Sequence, residues 1–274
     1  MVGLNLAWAV FAGAEDLVKI ANIGHGYYAA PLYIAQQAGL FTKHGLKADI
    51  TVVQGGPLAL QTVLTKQVDV GILSYEHVLM AAAQGKRVVA IFNIANRPLN
   101  NVIFKNELAT PGLDVDARIR KLNGLRVALP SAGGSGEKML GVLARKVGLK
   151  LPGDISMVYL GSEPASFVAA FQRGLVDAAL PVEPAGVLIQ QAGVGKTYID
   201  PIKGEVPEFQ DIIFMALSVH PDSLSEKSPL LRRVVEVFRE AAALLKAQPV
   251  QAKAILARGS PASRRPPTSR PSAS

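Results

Sequence analysis

Short β-rich runs alternate with helical runs along most of the chain, and this alternation limits the folds that the sequence can adopt. Between residues 17 and 94, four apolar runs that favour strands are separated by three helical runs. The pattern begins again after Asn96-Arg97-Pro98 and continues to residue 192. Strands that alternate with helices form βαβ units and a largely parallel sheet. We therefore expect an α/β protein with two lobes, each a mostly parallel sheet flanked by helices.

The lobe boundaries follow from where the alternation restarts and ends. We assign residues 17–97 to the first lobe and residues 98–212 to the second, with a hinge near Arg97-Pro98 and around residues 203–212. A β-rich run and an amphipathic helix at 228–247 follow, so residues 213–257 are expected to return to the first lobe. The apolar face of that helix is predicted to hold Leu231, Val234, Val235, Phe238, Ala241, Ala242 and Leu245.

Both ends of the chain differ from the rest. Residues 4–11 are apolar and precede Ala12-Gly13-Ala14, which has the pattern of a signal-peptide cleavage site, although residues 1–14 contain no Lys or Arg. We expect residues 1–14 to be a signal peptide; the alternative is a buried first strand or helix. Residues 258–274 consist only of Gly, Ser, Pro, Ala, Arg and Thr, so we expect a disordered tail.

Charge and cysteine content exclude several classes of function. The formal net charge is +8, but residues 241–274 hold six basic residues and no acid, which leaves +2 for the first 240 residues. No basic stripe with interleaved aromatics occurs there, so we expect no nucleic-acid partner. The chain has no cysteine, which excludes disulfides, thiolate catalysis and cysteine-ligated metals.

Ligands of open α/β sheets lie beyond the carboxyl ends of the strands, where loops lead into helix N-termini. The predicted strands therefore define candidate ligand-binding residues in both lobes. In the first lobe and at the lobe junction these are His25, Gly26, Tyr27, Tyr28, Gln54, Gly55, Gly56, Ser74, Tyr75 and Asn96. In the second lobe they are Ser131, Gly133, Gly134, Ser135 and Glu183. Further residues at the same strand ends are Asn93, Ala132, Gly161 and Ser162.

The segment 131–135 has the clearest binding chemistry of these candidates. Two hydroxyls and a glycine pair precede a predicted helix, and small residues let the backbone approach an oxyanion closely. The alternative is an ordinary turn with a serine N-cap. Tyr27-Tyr28 is either a ligand-facing wall or a pair of core aromatics. Glu76 and Glu183 are either a carboxylate pair across a cleft, or an amine-recognising group and a structural one.

Motifs for cofactors and metals fail on inspection. Gly193–Thr197 ends like a phosphate-binding loop, but Gln190 stands where the first glycine is required. The four histidines lack paired metal-ligand spacing, and each is expected at the surface or as a helix cap. We expect no metal and no cofactor. The histidines are His25, His44, His77 and His220.

Several motifs nevertheless carry a family resemblance. The segment Pro31-Leu32-Tyr33-Ile34-Ala35, followed by Gly39-Leu40-Phe41, Lys43-His44-Gly45-Leu46 and Gln67-Val68-Asp69-Val70-Gly71, resembles the aliphatic-sulfonate, taurine and nitrate solute-binding proteins of ABC importers. Residues 122–128 are similar to the family's entry to the second lobe, and Pro181-Val182-Glu183-Pro184 resembles its W-E-P segment without the tryptophan. Lys66 stands where the family has glycine. The resemblance covers residues 17–257; relatives continue with further helices, and a truncation or shifted reading frame would explain the tail here.

The resemblance implies a two-lobed clamp of the type II periplasmic-binding-protein fold. It further implies a monomeric, periplasmic, non-enzymatic subunit that binds a small solute, such as a sulfonate, nitrate or similar oxyanion, and delivers it to an inner-membrane ABC permease. The alternative is an enzyme on the same fold, of the menaquinone pathway or of thiamine-pyrimidine synthesis. The thiamine-pyrimidine synthases carry a cysteine cluster, which this chain lacks.

Overall fold

The computed structural model describes residues 15–24 and 26–259. The expected signal peptide, His25 and residues 260–274 of the expected tail lie outside the described residues. The described strands are β1 (Asp16–Asn22), β2 (Leu46–Val52), β3 (Val70–Ser74), β4 (Val89–Ala95), β5 (Val102–Phe104), β6 (Arg126–Leu129), β7 (Ser156–Tyr159), β8 (Ala178–Ala179), β9 (Lys196–Ile199) and β10 (Met215–Val219).

Most of the strands are followed by a helix, as the alternating pattern predicts. The helices are α1 (Ala30–Gln37), α2 (Leu40–Lys43), α3 (Gly56–Leu64), α4 (Tyr75–Ala83), α5 (Val115–Arg120), α6 (Ser135–Lys146), α7 (Pro164–Gln172), α8 (Ala185–Gln191), α9 (Ser223–Glu226), α10 (Ser228–Ala247) and α11 (Pro249–Gly259). Single 3₁₀ turns lie at Tyr27–Ala29, Asn106–Leu108 and Pro207–Phe209. None of the described helices combines the length and apolar character that crossing a bilayer requires.

The strands form two five-stranded sheets with the same plan. The first has the order β2-β1-β3-β10-β4 and the second the order β7-β6-β8-β5-β9. In each sheet the first three strands pair in parallel, and the fourth pairs antiparallel with both neighbours. Four of the five strands therefore run in one direction, which confirms the predicted α/β fold of two mostly parallel sheets.

Each sheet is covered by helices that bury apolar side chains against it. All five residues of β3 are buried, as expected for a strand that is covered on both faces. In the first lobe α1 packs against α10 and α11, and Phe238 of α10 meets Phe92 of β4 with ring centroids 6.4 Å apart. In the second lobe the tilted rings of Phe104 and Tyr198 are in contact, with centroids 4.6 Å apart.

The chain crosses between the sheets twice. It leaves the first sheet after β4 and enters the second at β5, then leaves β9 and returns at β10. The two crossings lie side by side: the Phe214 N–H donates to the Ala95 carbonyl at 2.8 Å, and the Ile212 N–H donates to the Asn96 carbonyl at 3.2 Å.

The helix at 228–247 forms over the predicted residues, but its buried face is rotated from the prediction. Val237 is fully buried, whereas Leu245 is 36% exposed. The prediction placed Leu245 in the core and omitted Val237. The reason is that α10 packs against α1, α2 and α11 as well as β4, so its buried face is set by several neighbours that the sequence pattern does not show. Strand β9 and helix α11 were not predicted; α11 includes residues 258–259, which the sequence assigned to the tail.

Candidate functional site

A cavity of about 40 Å³ lies between the two lobes, at the carboxyl ends of the parallel strands. This volume is room for a small solute or a few water molecules. Its wall is formed by glycines, prolines, hydroxyl groups, a few apolar side chains and one imidazole. The lining residues are Ile23, Gly26, Tyr28, Gly55, Gly56, Ser74, His77, Pro130, Ser131, Gly134, Ser135, Gly136, Ser162, Pro164, Phe167, Val182, Pro184 and Ala185.

Four helices of eight or more residues begin at this cavity. They are α3 and α4 in the first lobe and α6 and α7 in the second. The N-cap residues of all four make no side-chain cap hydrogen bond. Helix N-termini carry unsatisfied N–H groups and a partial positive charge, so the cavity favours a negatively charged ligand.

The two lobes touch across the cavity. The Tyr27 backbone N–H donates to the Glu183 carbonyl at 2.9 Å, which links the two lobes directly. Gly55 has a φ of +86°, and a Cβ atom there would lie 2.8 Å from Ser131 Oγ of the opposite lobe. A side chain at position 55 would therefore hold the lobes apart. The structure shows the clamp with its lobes closed on the cavity.

His77 is the one imidazole of the cavity wall among the described residues, and it is 1% exposed. Its Nδ1 lies 3.1 Å from Ser74 Oγ, 3.3 Å from the Ser74 carbonyl and 3.3 Å from Glu76 Oε1. Its Nε2 is buried without a hydrogen-bond partner in the described part of the chain. The expectation that His77 is a surface or capping residue is wrong, because the ring packs against Gly56 under the first turn of α3.

Glu183 has a structural position instead of a cavity position. Its Oε2 accepts from the Val187 N–H at 3.0 Å, which satisfies the first turn of α8, and its Oε1 accepts from Asn101 at 3.5 Å. Burial raises the pKa of the Glu183 carboxyl. Glu76 is about one-quarter exposed and accepts from Ser74 Oγ at 2.7 Å. The two glutamates therefore have different partners and do not form a carboxylate pair.

Eight of the fifteen sequence candidates line the cavity. In the first lobe they are Gly26, Tyr28, Gly55, Gly56 and Ser74, and in the second lobe Ser131, Gly134 and Ser135. Tyr28 is buried, and burial raises the pKa of its phenol. The residues come together because each follows the carboxyl end of a parallel strand in its lobe.

The other described candidates do not line the cavity. The side chains of Tyr27, Gln54 and Asn96 are exposed to solvent. Tyr75 packs instead beside the small core cluster under α3 and α4. The Gly133 N–H donates a hydrogen bond to the Glu137 carboxylate at 2.9 Å. Glu183 caps α8 as described above.

Ten lining residues were outside the predicted set. One of them, Ser162, follows β7 just as Ser131 follows β6, and the strand-end rule named it among the further strand-end residues. The sequence identifies His77 less clearly as a cavity residue, because it lies three residues after the end of β3. Side chains of a helix lean toward its N-terminus, so a residue in the first turn of α4 can reach into the cleft.

The sequence is similar to those of known proteins over most of its length. The family model described as NMT1/THI5 like matches residues 27–252. A protein of Brucella abortus (strain 2308), named as a binding protein without a stated ligand, is 26% identical over 253 residues, covering 88% of this chain and 70% of that protein. The 4-amino-5-hydroxymethyl-2-methylpyrimidine phosphate synthase THI12 of Saccharomyces cerevisiae is 25% identical over 156 residues, covering 57% of this chain and 43% of that enzyme.

A solved structure shares the fold. The periplasmic aliphatic sulphonate binding protein SsuA from Escherichia coli superimposes with a TM-score of 0.69 at 22% identity, covering 89% of this chain and 78% of that one. Two sheets of matching order, joined by two crossings around a cavity, define the two-lobed fold of periplasmic binding proteins. The chain belongs to the NMT1/THI5-like family.

Proposed function

We propose that this protein is the solute-binding component of an ABC importer and that it captures a small oxyanion, such as a sulfonate or nitrate, between its lobes. The observation that carries the proposal is the cavity itself. Four helix N-termini without side-chain caps converge on it, together with serine hydroxyls. These groups donate hydrogen bonds and suit an acceptor-only ligand.

The cavity wall also disfavours a positively charged ligand. Among its described residues there is no Asp or Glu, so a bound ammonium group would have no counterion. There is also no Lys or Arg, so the negative charge of an oxyanion would be met by N–H and O–H donors. Fixed donors of this kind recognise small anions without a Lys or Arg side chain.

The proposed cycle needs only a hinge and no catalytic group. Lobes 17–97 with 213–257, and 98–212, would open at the crossings and close on the ligand, and an inner-membrane permease would receive the closed form. The proposed site of action is the periplasm, and the proposed state is a monomer. The name of the sulphonate binding protein and its shared fold support this assignment.

The alternative is an enzyme, and the likeness to the yeast pyrimidine phosphate synthase supports keeping it in the tests. That likeness covers 57% of this chain, and this chain has no cysteine with which to supply the cysteine cluster of such synthases. No turnover is the expected outcome when a pyrimidine is offered.

A thermal-shift screen followed by calorimetric titration tests the proposal. The solutes are methanesulfonate, taurine, nitrate and a methylated aminopyrimidine. We expect one of the oxyanions to raise the melting temperature, because a ligand at 100 times its dissociation constant stabilises the folded state by about 2.7 kcal/mol. A screen in which no oxyanion stabilises the protein, or in which only the pyrimidine does, contradicts the proposal.

Two glycine variants separate lobe closure from simple loss of stability. Gly39 has left-handed backbone angles (φ +68°, ψ 22°), where Ala costs about 1–2 kcal/mol of folding free energy. Gly55 (φ +86°, ψ 169°) lies in a region that is essentially restricted to glycine, where Ala costs about 1–3 kcal/mol. Only at Gly55 does the new Cβ meet the opposite lobe; at Gly39 nothing lies within 4 Å. We expect G55A to weaken oxyanion binding at least tenfold and G39A to bind like the wild type. Equal affinities for both variants would argue against closure on the ligand.

A further inference from the structure

His77 is placed in the cavity in a way that fixes which of its nitrogens carries a proton. Three oxygens surround Nδ1: Ser74 Oγ, the Ser74 carbonyl and Glu76 Oε1, all within 3.3 Å. The hydroxyl proton of Ser74 is directed to Glu76 Oε1 at 2.7 Å, so its oxygen presents a lone pair to the ring. All three neighbours are therefore acceptors, and Nδ1 carries a hydrogen.

The other ring nitrogen, Nε2, is then the one available to a ligand, because it is buried and has no hydrogen-bond partner among the described residues. In the neutral ring with Nδ1 protonated, Nε2 is an acceptor and repels the lone pairs of an oxyanion. In the imidazolium ion Nε2 carries a hydrogen and donates. Anions of strong acids offer only acceptors, so such a ligand can bond to His77 only when the ring is positively charged.

The charged groups around His77 are compatible with a positively charged ring. On its own helix, Glu76 lies beside Nδ1 and is the counterion of an imidazolium ring. The facing turn of α3 presents Gly56, which carries no charge. On the second lobe, Glu137, Lys138 and Arg145 share an outer groove with Glu76, and Glu137 is held by the Gly133 N–H and the Tyr159 hydroxyl. No other described residue of the cavity wall carries a charge near neutral pH.

We propose that His77 is the ligand-recognition residue of the first lobe, and that it binds the oxyanion as an imidazolium ion, so that each ligand enters together with one proton. Glu76 and Ser74 are its positioning residues. This inference rests on the proposed oxyanion function and adds its coupling to protons.

Calorimetric titration of the wild type with methanesulfonate and with nitrate tests the coupling. Neither anion titrates between pH 5.5 and 8.5, so any pH dependence belongs to the protein. We expect affinity to fall as pH rises, approaching tenfold per pH unit at the alkaline end, because one proton is taken up per ligand. Titrations in two buffers of different ionisation enthalpy should show uptake that approaches one proton at that end.

Three variants assign the coupling to His77. H77Q keeps a donor that does not titrate, so we expect weaker binding than wild type at pH 6 that no longer changes with pH. H44Q is the matched control, because His44 is half-buried away from the cavity wall and pairs with Glu240, and it should keep the wild-type slope. H220Q should also keep it, since His220 pairs with Asp222 and does not line the cavity. If H77Q keeps the wild-type slope, the assignment to His77 is wrong.

A second measurement serves if H77Q does not fold. Nitrogen-15 NMR of the histidine rings in the wild type should show both His77 nitrogens protonated on addition of methanesulfonate at pH 7.5. Oxyanion binding that is flat across the pH range, with no proton uptake, overturns the His77 proposal and leaves the oxyanion function standing. No binding of any oxyanion overturns both.

Discussion

The two lobes share one strand plan but contribute different chemistry to the cleft. In each sheet the reversed fourth strand is the one by which the chain enters that lobe from the other: β5 in the second lobe and β10 in the first. The plan therefore places equivalent loops at both walls of the cavity. What the loops carry differs, since the first lobe supplies the imidazole, and the second supplies three of the four serines and most of the apolar side chains.

The segments after β3 and β8 make this difference specific. They occupy equivalent places in the two sheets, and each carries a glutamate at or just before the start of the next helix. After β3, Glu76 lies beside His77 and orients a cavity residue. After β8, Glu183 is buried and caps α8, which leaves Val182 and Pro184 at the cavity. The same fold position thus orients a cavity residue in one lobe and caps a helix in the other.

The largest expected effect tests whether the two cores are equally important. Phe104 in the second lobe and Phe238 in the first are both fully buried. Each substitution to Ala should lower the free energy of unfolding by about 3–5 kcal/mol, because it removes a buried ring and leaves a cavity. Chemical denaturation measures both. A cost below about 1 kcal/mol in either lobe would show that its core is not packed as described.

The next effect tests the contribution of the second lobe to binding. Removing the hydroxyl of Ser131 should weaken oxyanion affinity about tenfold, because hydrogen bonds to charged groups are worth roughly 1.5–3 kcal/mol. Ser225 lies on the surface in α9, so S225A is the control and should bind unchanged. Calorimetric titration compares them. An S131A variant with wild-type affinity would remove Ser131 from the site.

A smaller effect compares two carboxyls of the second lobe whose pKa values shift in opposite directions. Hydrogen bonds from the Arg126 side chain lower the pKa of Asp177, so its stabilisation is complete above about pH 4 and is lost as pH falls through its folded pKa. Burial raises the pKa of Glu183, so the folded state loses stability as pH rises from about 4.3 through its folded pKa.

Denaturation at several pH values tests these opposite signs. As pH falls from 7 toward 4, the wild type should gain stability relative to E183Q. Below pH 4 it should lose stability relative to D177N. Slopes of the same sign for both differences would contradict the described environments of the two carboxyls.

The smallest effect is expected at the end of α10. Leu245 is 36% exposed, so L245A should change the free energy of unfolding by no more than about 0.5 kcal/mol. Val237 is fully buried, and V237A should cost clearly more, since it leaves a cavity in the core. Denaturant unfolding of both variants decides between the two faces of the helix. A larger cost at Leu245 would favour the face predicted from the sequence.

The sequence predicted the fold more fully than the site, for physical reasons. Strand and helix runs such as those of β3 and α10 are encoded locally by apolar periodicity, so their positions were found within a few residues. The cavity depends on which loops meet across the cleft. His77 was missed because its burial comes from contact with Gly56, twenty-one positions earlier in the chain. Glu183 was misplaced because both capping and ligand contact suit a glutamate at a helix start.

Crystals grown with methanesulfonate at pH 6 test the central claim most directly, namely that the two lobes close around a small oxyanion. The account predicts one sulfonate between the lobes, with an oxygen within hydrogen-bond distance of His77 Nε2 and another facing Ser131. A sulfonate bound only at the surface, or a closed cavity that holds none, would contradict it.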